Sequence, residues 1–220
     1  MKNFFKQAEF AFAAYSNLNP NMAFDNYVEA LRDTGKGLSP SQATAFATNY
    51  RIVDQHSDET GLSATVFADN ATNQTFLAIR GTDGINDASN LVSLTLLGDY
   101  NLLSQYKSLK TQVELWLKSG KLLPTFTVTG HSLGGFLATG LVAESEFASN
   151  IVHAYLYNAP GIDGIFGSMT NAVLNFLDVT PIYDSAKISN IEAEIGIKPI
   201  TGLGFDVAPP IDINIEDQMA

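Results

Sequence analysis

The stretch Thr127-Val128-Thr129-Gly130-His131-Ser132-Leu133-Gly134-Gly135 decides how this chain folds. A β-rich run ends in Gly-x-Ser-x-Gly, and an apolar segment of helical composition follows at once, to about Glu146. A serine so placed sits on a very tight strand-to-helix turn, which lifts its oxygen above the end of a sheet. Such a turn calls for a positive φ at the serine and leaves no room for a Cβ at Gly130 or Gly134. The helix that starts there aims its free N–H groups and positive dipole end at charge developing on a reacting carbonyl. The alternative, a plain glycine turn with an incidental serine, does not account for the strand before it and the helix after it. Ser132 is therefore the expected nucleophile.

Outward from this turn the chain keeps alternating strands and helices. Upstream, Leu102, Tyr106, Leu109, Val113 and Trp116 fall on one face of an amphipathic helix, which Lys118-Ser119-Gly120-Lys121 closes. Before it, Ser63-Ala64-Thr65-Val66-Phe67 and Thr75-Phe76-Leu77-Ala78-Ile79 read as a hairpin with a six-residue loop, residues 69–74. Downstream, residues 151–157 are almost continuously apolar, as in a strand buried on both faces. A helix is expected near 168–177, a strand near 187–193 and a last alternating run over 211–216. The part up to about Arg51 reads as helical, broken by turns at Asn19-Pro20 and between Thr34 and Pro40. Within it Phe4, Ala8, Ala11, Phe12 and Tyr15 recur at helical spacing and predict a core-facing helix. The pattern predicts an α/β fold with a mostly parallel central sheet after the first hairpin, flanked by helices. It is read as one domain over 1–220, helical over 1–51 and with its motif-bearing core over 57–204.

Composition narrows the class. The chain has 220 residues, 45% hydrophobic and 16% charged, which fits a globular domain with a sizeable core. Twelve basic and 23 acidic side chains give a formal charge of −11, so a nucleic-acid backbone is repelled and no nucleic-acid partner is expected. The absence of cysteine excludes disulfides, thiolate metal sites and a cysteine nucleophile. No apolar run reaches the ~18 residues of a membrane span. The N-terminus shows neither a long apolar core nor a small-residue cleavage site of a signal peptide.

A serine nucleophile needs an oxyanion hole. In this fold one donor is the N–H after the serine, here Leu133, and the other comes from a loop at the end of an earlier strand. Ile79-Arg80-Gly81-Thr82 supplies such a loop, with Gly81 allowing close approach and Thr82 offering both N–H and hydroxyl. Read alone, Arg80-Gly81-Thr82 is an ordinary strand exit; beside the serine turn it becomes the expected second donor.

Together with Tyr157-Asn158-Ala159-Pro160-Gly161 after the next strand, these motifs resemble the class 3 (fungal-type) lipases and their bacterial relatives. The resemblance runs over roughly 57–204. It implies an α/β-hydrolase fold and a serine esterase or lipase acting on carboxylic esters of lipids, such as acylglycerols or phospholipids. It assigns the nucleophile to Ser132 and the oxyanion positions to Thr82 and Leu133. It implies no cofactor, although a structural calcium stays open; the acidic residues form no loop of regular ligand spacing. Residues 85–98, with Leu91, Val92, Leu94, Leu96 and Leu97, fall where these lipases carry a lid; a plain core helix is the equal alternative. Transient contact with a lipid interface would follow from a lid. Secretion is compatible with the resemblance, and the sequence leaves the compartment open.

The triad is where the pattern breaks. The fold orders its triad Ser, then acid, then His, yet no histidine follows His153. His131 lies inside the turn and points elsewhere, His153 reads as a buried strand residue, and His56 reads as a surface loop residue. None is a good base. Glu192 and Glu194, at the end of the strand expected near 187–193, are the candidate acids; Asp184 and Asp178 precede it and suit less well. The simplest expectation is a chain shortened at its C-terminus, ahead of the histidine loop. The rival is a catalytically inactive hydrolase-like domain that binds a lipid or a partner.

Overall fold

The structure, a computed structural model, describes residues 2–32, 37–81, 99–159, 184–193 and 210–213. Three helices come first: α1 (Lys2–Ala13), α2 (Phe24–Arg32) and α3 (Pro40–Asn49). A capping box starts α3: Ser39 Oγ accepts from the Gln42 N–H, the Gln42 side chain accepts from the Ser39 N–H, and Pro40 follows. Strands β1 (Tyr50–Ser57), β2 (Ser63–Asp69) and β3 (Thr75–Ile79) then form an antiparallel meander. Helix α4 (Asp99–Ser119) precedes β4 (Phe126–His131), and helix α5 (Leu133–Ala143) precedes β5 (Ile151–Tyr157). Strands β6 (Ile188–Ala193) and β7 (Pro210–Ile213) continue the sheet. Among the described residues the sheet has seven strands in chain order, parallel from β3 onward. This is the mostly parallel, helix-flanked sheet expected above.

Strand order explains why helices stand where they do. When each parallel strand adds beside the last and every crossover is right-handed, all crossover helices fall on one face. Tyr106, Leu109 and Trp116 of α4 and Leu137 and Leu141 of α5 indeed share one apolar cluster with Leu77 and Val128 of the sheet. The opposite face must then be covered from elsewhere, and the N-terminal helices do so. Phe10 of α1 and Phe46 of α3 join Phe67 and Phe76 in a second cluster. Phe10 stacks on Phe76 at 4.4 Å and meets Phe46 edge-on at 5.0 Å. Such aromatic pairs add about 0.5–1.5 kcal/mol each beyond the area they bury.

Two expectations are corrected here. Of the residues expected to face the core, Ala11 and Tyr15 are buried whereas Phe12 is 42% exposed, and Phe10 and Ala13 of α1 are buried as well. The apolar residues of this helix thus serve two faces, which their spacing alone does not separate. The second correction concerns residues 50–57, read as the end of a helical region followed by a loop at His56. They form β1, antiparallel to β2, with His56 opposite Ala64 and a register shift between Ile52 and Asp54. The shift interrupts the two-residue alternation that signals a strand. The polar side chains that hide it are satisfied at long range. The Gln55 side chain binds the Leu18 N–H, the Ser16 carbonyl and Thr65 Oγ1, while Asp54 accepts from Trp116 and Lys121. The helix expected near 168–177 lies outside the described residues.

The turn after β1 is fastened to α4 by Asp58. Its carboxylate accepts from Ser108 Oγ, from the Thr60 N–H at 2.9 Å and from His56 Nε2 at 3.1 Å. Burial alone would raise its pKa, but the hydrogen bonds from Ser108, Thr60 and His56 outweigh it and hold the value down at about 2. A carboxylate with a depressed folded pKa stabilises the fold above its unfolded pKa and loses that contribution as pH falls toward the folded value. Stability should therefore drop by about 1–2 kcal/mol between pH 4 and pH 2, allowing for the carboxylate's solvent contact. Urea unfolding at stepped pH checks this: Asp58→Asn should flatten the slope in that window, and an unchanged slope would refute it.

Candidate active site

Strand β4 lies between β3 and β5, with Gly130 in register with Ile79 on one side and Leu156 on the other. Ser132 follows directly, at φ 55 and ψ −128, and is the residue on which α5 begins. A serine heading a helix usually turns its oxygen back onto the first-turn N–H groups. Here the left-handed backbone prevents this, and the Ser132 side chain makes no capping bond. The hydroxyl is left at the strand end beside the positive pole of α5. Holding a non-glycine residue there costs about 1–3 kcal/mol, which the surroundings must supply.

Those surroundings are backbone in close contact. A Cβ on Gly130 would lie 2.3 Å from the Gly134 carbonyl oxygen, and one on Gly134 would lie 2.2 Å from the Ile79 carbonyl oxygen. The helix start is thus pressed against the strand before it and the end of β3. Gly81, one residue beyond Arg80 at the exit of β3, is equally tight: a Cβ there would meet the His131 carbonyl and Tyr15 Oη at 2.6 Å and Ser132 Cβ at 3.1 Å. The chain leaving β3 therefore passes directly beside the serine. Thr82, the next residue and the expected second oxyanion donor, lies outside the described residues, as do 85–98. Leu133 is the first residue of α5, where an N–H has no acceptor within the helix.

Hydrogen bonds stitch the strand ends together at this edge. The Ser132 N–H donates to the Tyr157 carbonyl at 2.9 Å, and the Asn158 N–H donates to the Ile191 carbonyl at 2.9 Å. Asn158 also has positive φ, 44°, so the chain turns sharply after β5 as it does after β4. Ile191 is in register with Tyr157, and Tyr157 with His131. Glu192 accordingly stands level with Ser132, two strands away, about 10 Å at ordinary strand spacing. Its side chain is buried. Asp184 is at the other edge of the sheet, where its carboxylate accepts from the Ala186 N–H at 3.2 Å and caps the 3-10 turn Ser185–Lys187. It is removed as a candidate acid. Glu194 and Asp178 lie outside the described residues.

No histidine is placed to take the Ser132 proton. His131 Nδ1 lies 2.9 Å from Tyr15 Oη, and its ring stacks with Phe12 on the α1 side of the sheet. His153 is in register with Thr127, about 13 Å down β5 from the edge, with Nε2 2.8 Å from Ser189 Oγ. Burial pushes its pKa below the ordinary histidine value. His56 is three strands from β4, about 14 Å, and held by Asp58.

Sequence reasoning missed the part played by α1. Besides the tyrosine at its C-terminal end, this helix forms one wall of a cavity of about 270 Å³ whose other side is the edge formed by His131, Tyr157, Asn158, Ile191 and Glu192. The signal was present in the doubled apolar stripe of α1, but nothing local distinguishes a stripe facing core from one facing a cavity.

No protein-family model matches the sequence, and no curated protein matches it. Among solved structures, the Lip2 lipase of Yarrowia lipolytica matches with a TM-score of 0.57 and 20% identity, over 90% of this chain and 74% of that one. Lipase II from Rhizopus niveus gives 0.48 and 14%, covering 90% and 74%; a triacylglycerol lipase from Penicillium expansum gives 0.47 and 13%, covering 97% and 78%. The likeness to Lip2 shows the fold: an α/β-hydrolase sheet shared with a fungal lipase.

Proposed function

We propose that this chain, built on the α/β-hydrolase fold of a fungal lipase, is a serine hydrolase of lipid carboxylic esters, of triacylglycerol lipase or phospholipase type, forming one domain over 1–220. The observation that carries the reading is Ser132: a strained residue at a strand-to-helix junction whose hydroxyl is withheld from the helix it heads. A structural turn has no need of that strain, since a serine with ordinary helix-cap angles would be more stable.

The chemistry runs as acyl transfer. Ser132 Oγ attacks the ester carbonyl, its proton passes to water or another base from solution, because none of the three histidines is placed to take it, and the carbonyl oxygen becomes an oxyanion. The Leu133 N–H, at the positive end of α5, donates to that oxygen, and Thr82 is the second donor assigned by the motif at the β3 exit. Collapse expels the alcohol, and water then releases the acid from the acyl-serine. Glu192, level with Ser132 on β6, is the carboxylate suited to orient a base. Contact with lipid is a surface event in this reading: no described helix is long and apolar enough to cross a membrane.

Covalent capture tests the assignment. Prolonged exposure to a p-nitrophenyl alkylphosphonate, followed by peptide mapping, should place the adduct on Ser132. Adducts elsewhere, or none, would leave a hydrolase fold without this chemistry.

A further inference from the structure

Three separate parts of the chain meet at Gly81, and the catalytic step by itself does not require one of them. Strand β3 ends at Ile79, and the Arg80 N–H still donates to the Ser63 carbonyl at 2.9 Å. Gly81 follows with no side chain of its own to hold it, directly beside Ser132. A Cβ there would lie 3.1 Å from Ser132 Cβ and 2.6 Å from both the His131 carbonyl oxygen and Tyr15 Oη. The phenol thus fills the space that a side chain on Gly81 would take. Tyr15 comes from the N-terminal part, just past α1, and is buried. A buried phenol needs a partner, since phenylalanine would pack as well without one. Its oxygen meets His131 Nδ1 at 2.9 Å, and Phe12 stacks on the same imidazole. His131 is thereby turned toward α1 and away from Ser132, where it fixes the phenol.

We propose that Tyr15 is a positioning residue: clamped by His131, its phenolic oxygen fixes the exit of β3 against Ser132. In the hydrolase reading the chain leaving β3 carries the second oxyanion donor, and the consequence for catalysis rests on that reading. A donor serves the oxyanion only from hydrogen-bond distance of the place the charged oxygen will take. A small displacement at Gly81 is therefore felt in the transition state more than in the bound substrate. Tyr15 acts through Gly81 and through the backbone of His131, which leads directly into Ser132.

Tyr15→Phe removes the oxygen and keeps the ring. With imidazole present, and above the Ser132→Ala background, it should slow p-nitrophenyl butyrate turnover about tenfold, in kcat rather than KM. The matching thionoester should be slowed much less, because sulfur is a larger and weaker acceptor that gains little from donors set for oxygen. The ester-to-thionoester ratio should therefore fall, which a general loss of folded protein would not produce. His131→Phe should act alike, and the two substitutions together should cost no more than either alone. His131→Asn, whose amide can still meet the phenol, should keep a larger part of the rate. Should circular dichroism show that Tyr15→Phe does not fold, His131→Phe carries the test. Exchange of the Gly81 amide, read by NMR on glycine-labelled protein, is independent of turnover and should quicken about fivefold in either variant. Quickened exchange in a chain without Ser132-dependent turnover supports the clamp and sinks the hydrolase reading. Unchanged exchange, or a slowed ester rate with the thionoester ratio intact, overturns the clamp and leaves the hydrolase standing.

Discussion

Free imidazole is expected to raise the hydrolysis of p-nitrophenyl butyrate by this protein, and Ser132→Ala is expected to abolish that increment. The three histidines are each held away from Ser132. Without a base the hydroxyl stays protonated at neutral pH and is a weak nucleophile. The unaided rate should therefore be feeble, supplied by the oxyanion donors and by binding, which in triad knockouts amount to about 10³–10⁴ over water. Such remnants are non-additive, so loss of the serine alone, without imidazole, discriminates poorly. A base supplied from solution discriminates well. General-base catalysis contributes about 10²–10⁴ when the base is fixed, and a diffusing base recovers part of it, about ten- to a hundredfold. Imidazole also hydrolyses the ester by itself, and the Ser132→Ala protein measures that background. A protein fully active without imidazole would mean that one of the three histidines swings to Ser132, and single alanine substitutions would identify it.

The strand-to-helix turn at Ser132 was legible in the sequence because its requirements are local. Nine residues specify a strand, a sharp turn and a helix, and the glycines at 130 and 134 mark where backbones touch. Residues 151–157 were equally plain as a central strand, since a strand paired on both sides has little freedom in composition, although the expected burial on both faces holds only in part: Val152 is 54% exposed. His153 was readable as a satisfied strand histidine for the same reason, and it meets Ser189. Strand β1 was not legible, because Asp54 and Gln55 look like loop residues until their partners Trp116, Ser16 and Leu18 are known. Those partners come from other parts of the chain, and local patterns carry no record of them. Asp184 was legible as the weaker candidate acid, since it precedes the strand Ile188–Ala193 and so stands at the start of that strand, away from Ser132. Parallel strands make that distinction absolute, since the start and the end of a strand lie on opposite edges.

Gly134→Ala is expected to destabilise the protein by about 3 kcal/mol or more and to remove the imidazole-dependent activity. The sign is what makes this informative. Gly134 is the second residue of α5, and alanine is favoured over glycine within a helix by about 1 kcal/mol, so propensity alone predicts stabilisation. Contact predicts the reverse. The added methyl would sit 2.2 Å from the Ile79 carbonyl oxygen and 2.9 Å from the Arg80 carbonyl carbon, both backbone atoms at the end of β3. A side chain could rotate away; these atoms cannot, because β3 is paired along its length with β2 and β4. Relief requires moving the start of α5 off the sheet, which carries Ser132 and Leu133 away from the β3 exit and dismantles the site. Gly120→Ala is the matched control, since its φ of 72 strains an alanine while nothing lies within 4 Å of the new methyl. That substitution should cost only about 1–2 kcal/mol and leave the activity in place. Urea unfolding together with the imidazole assay on both variants decides the matter. If Gly134→Ala is as stable as the parent, α5 does not rest on the end of β3 as described, and the geometry assigned to Ser132 falls with it.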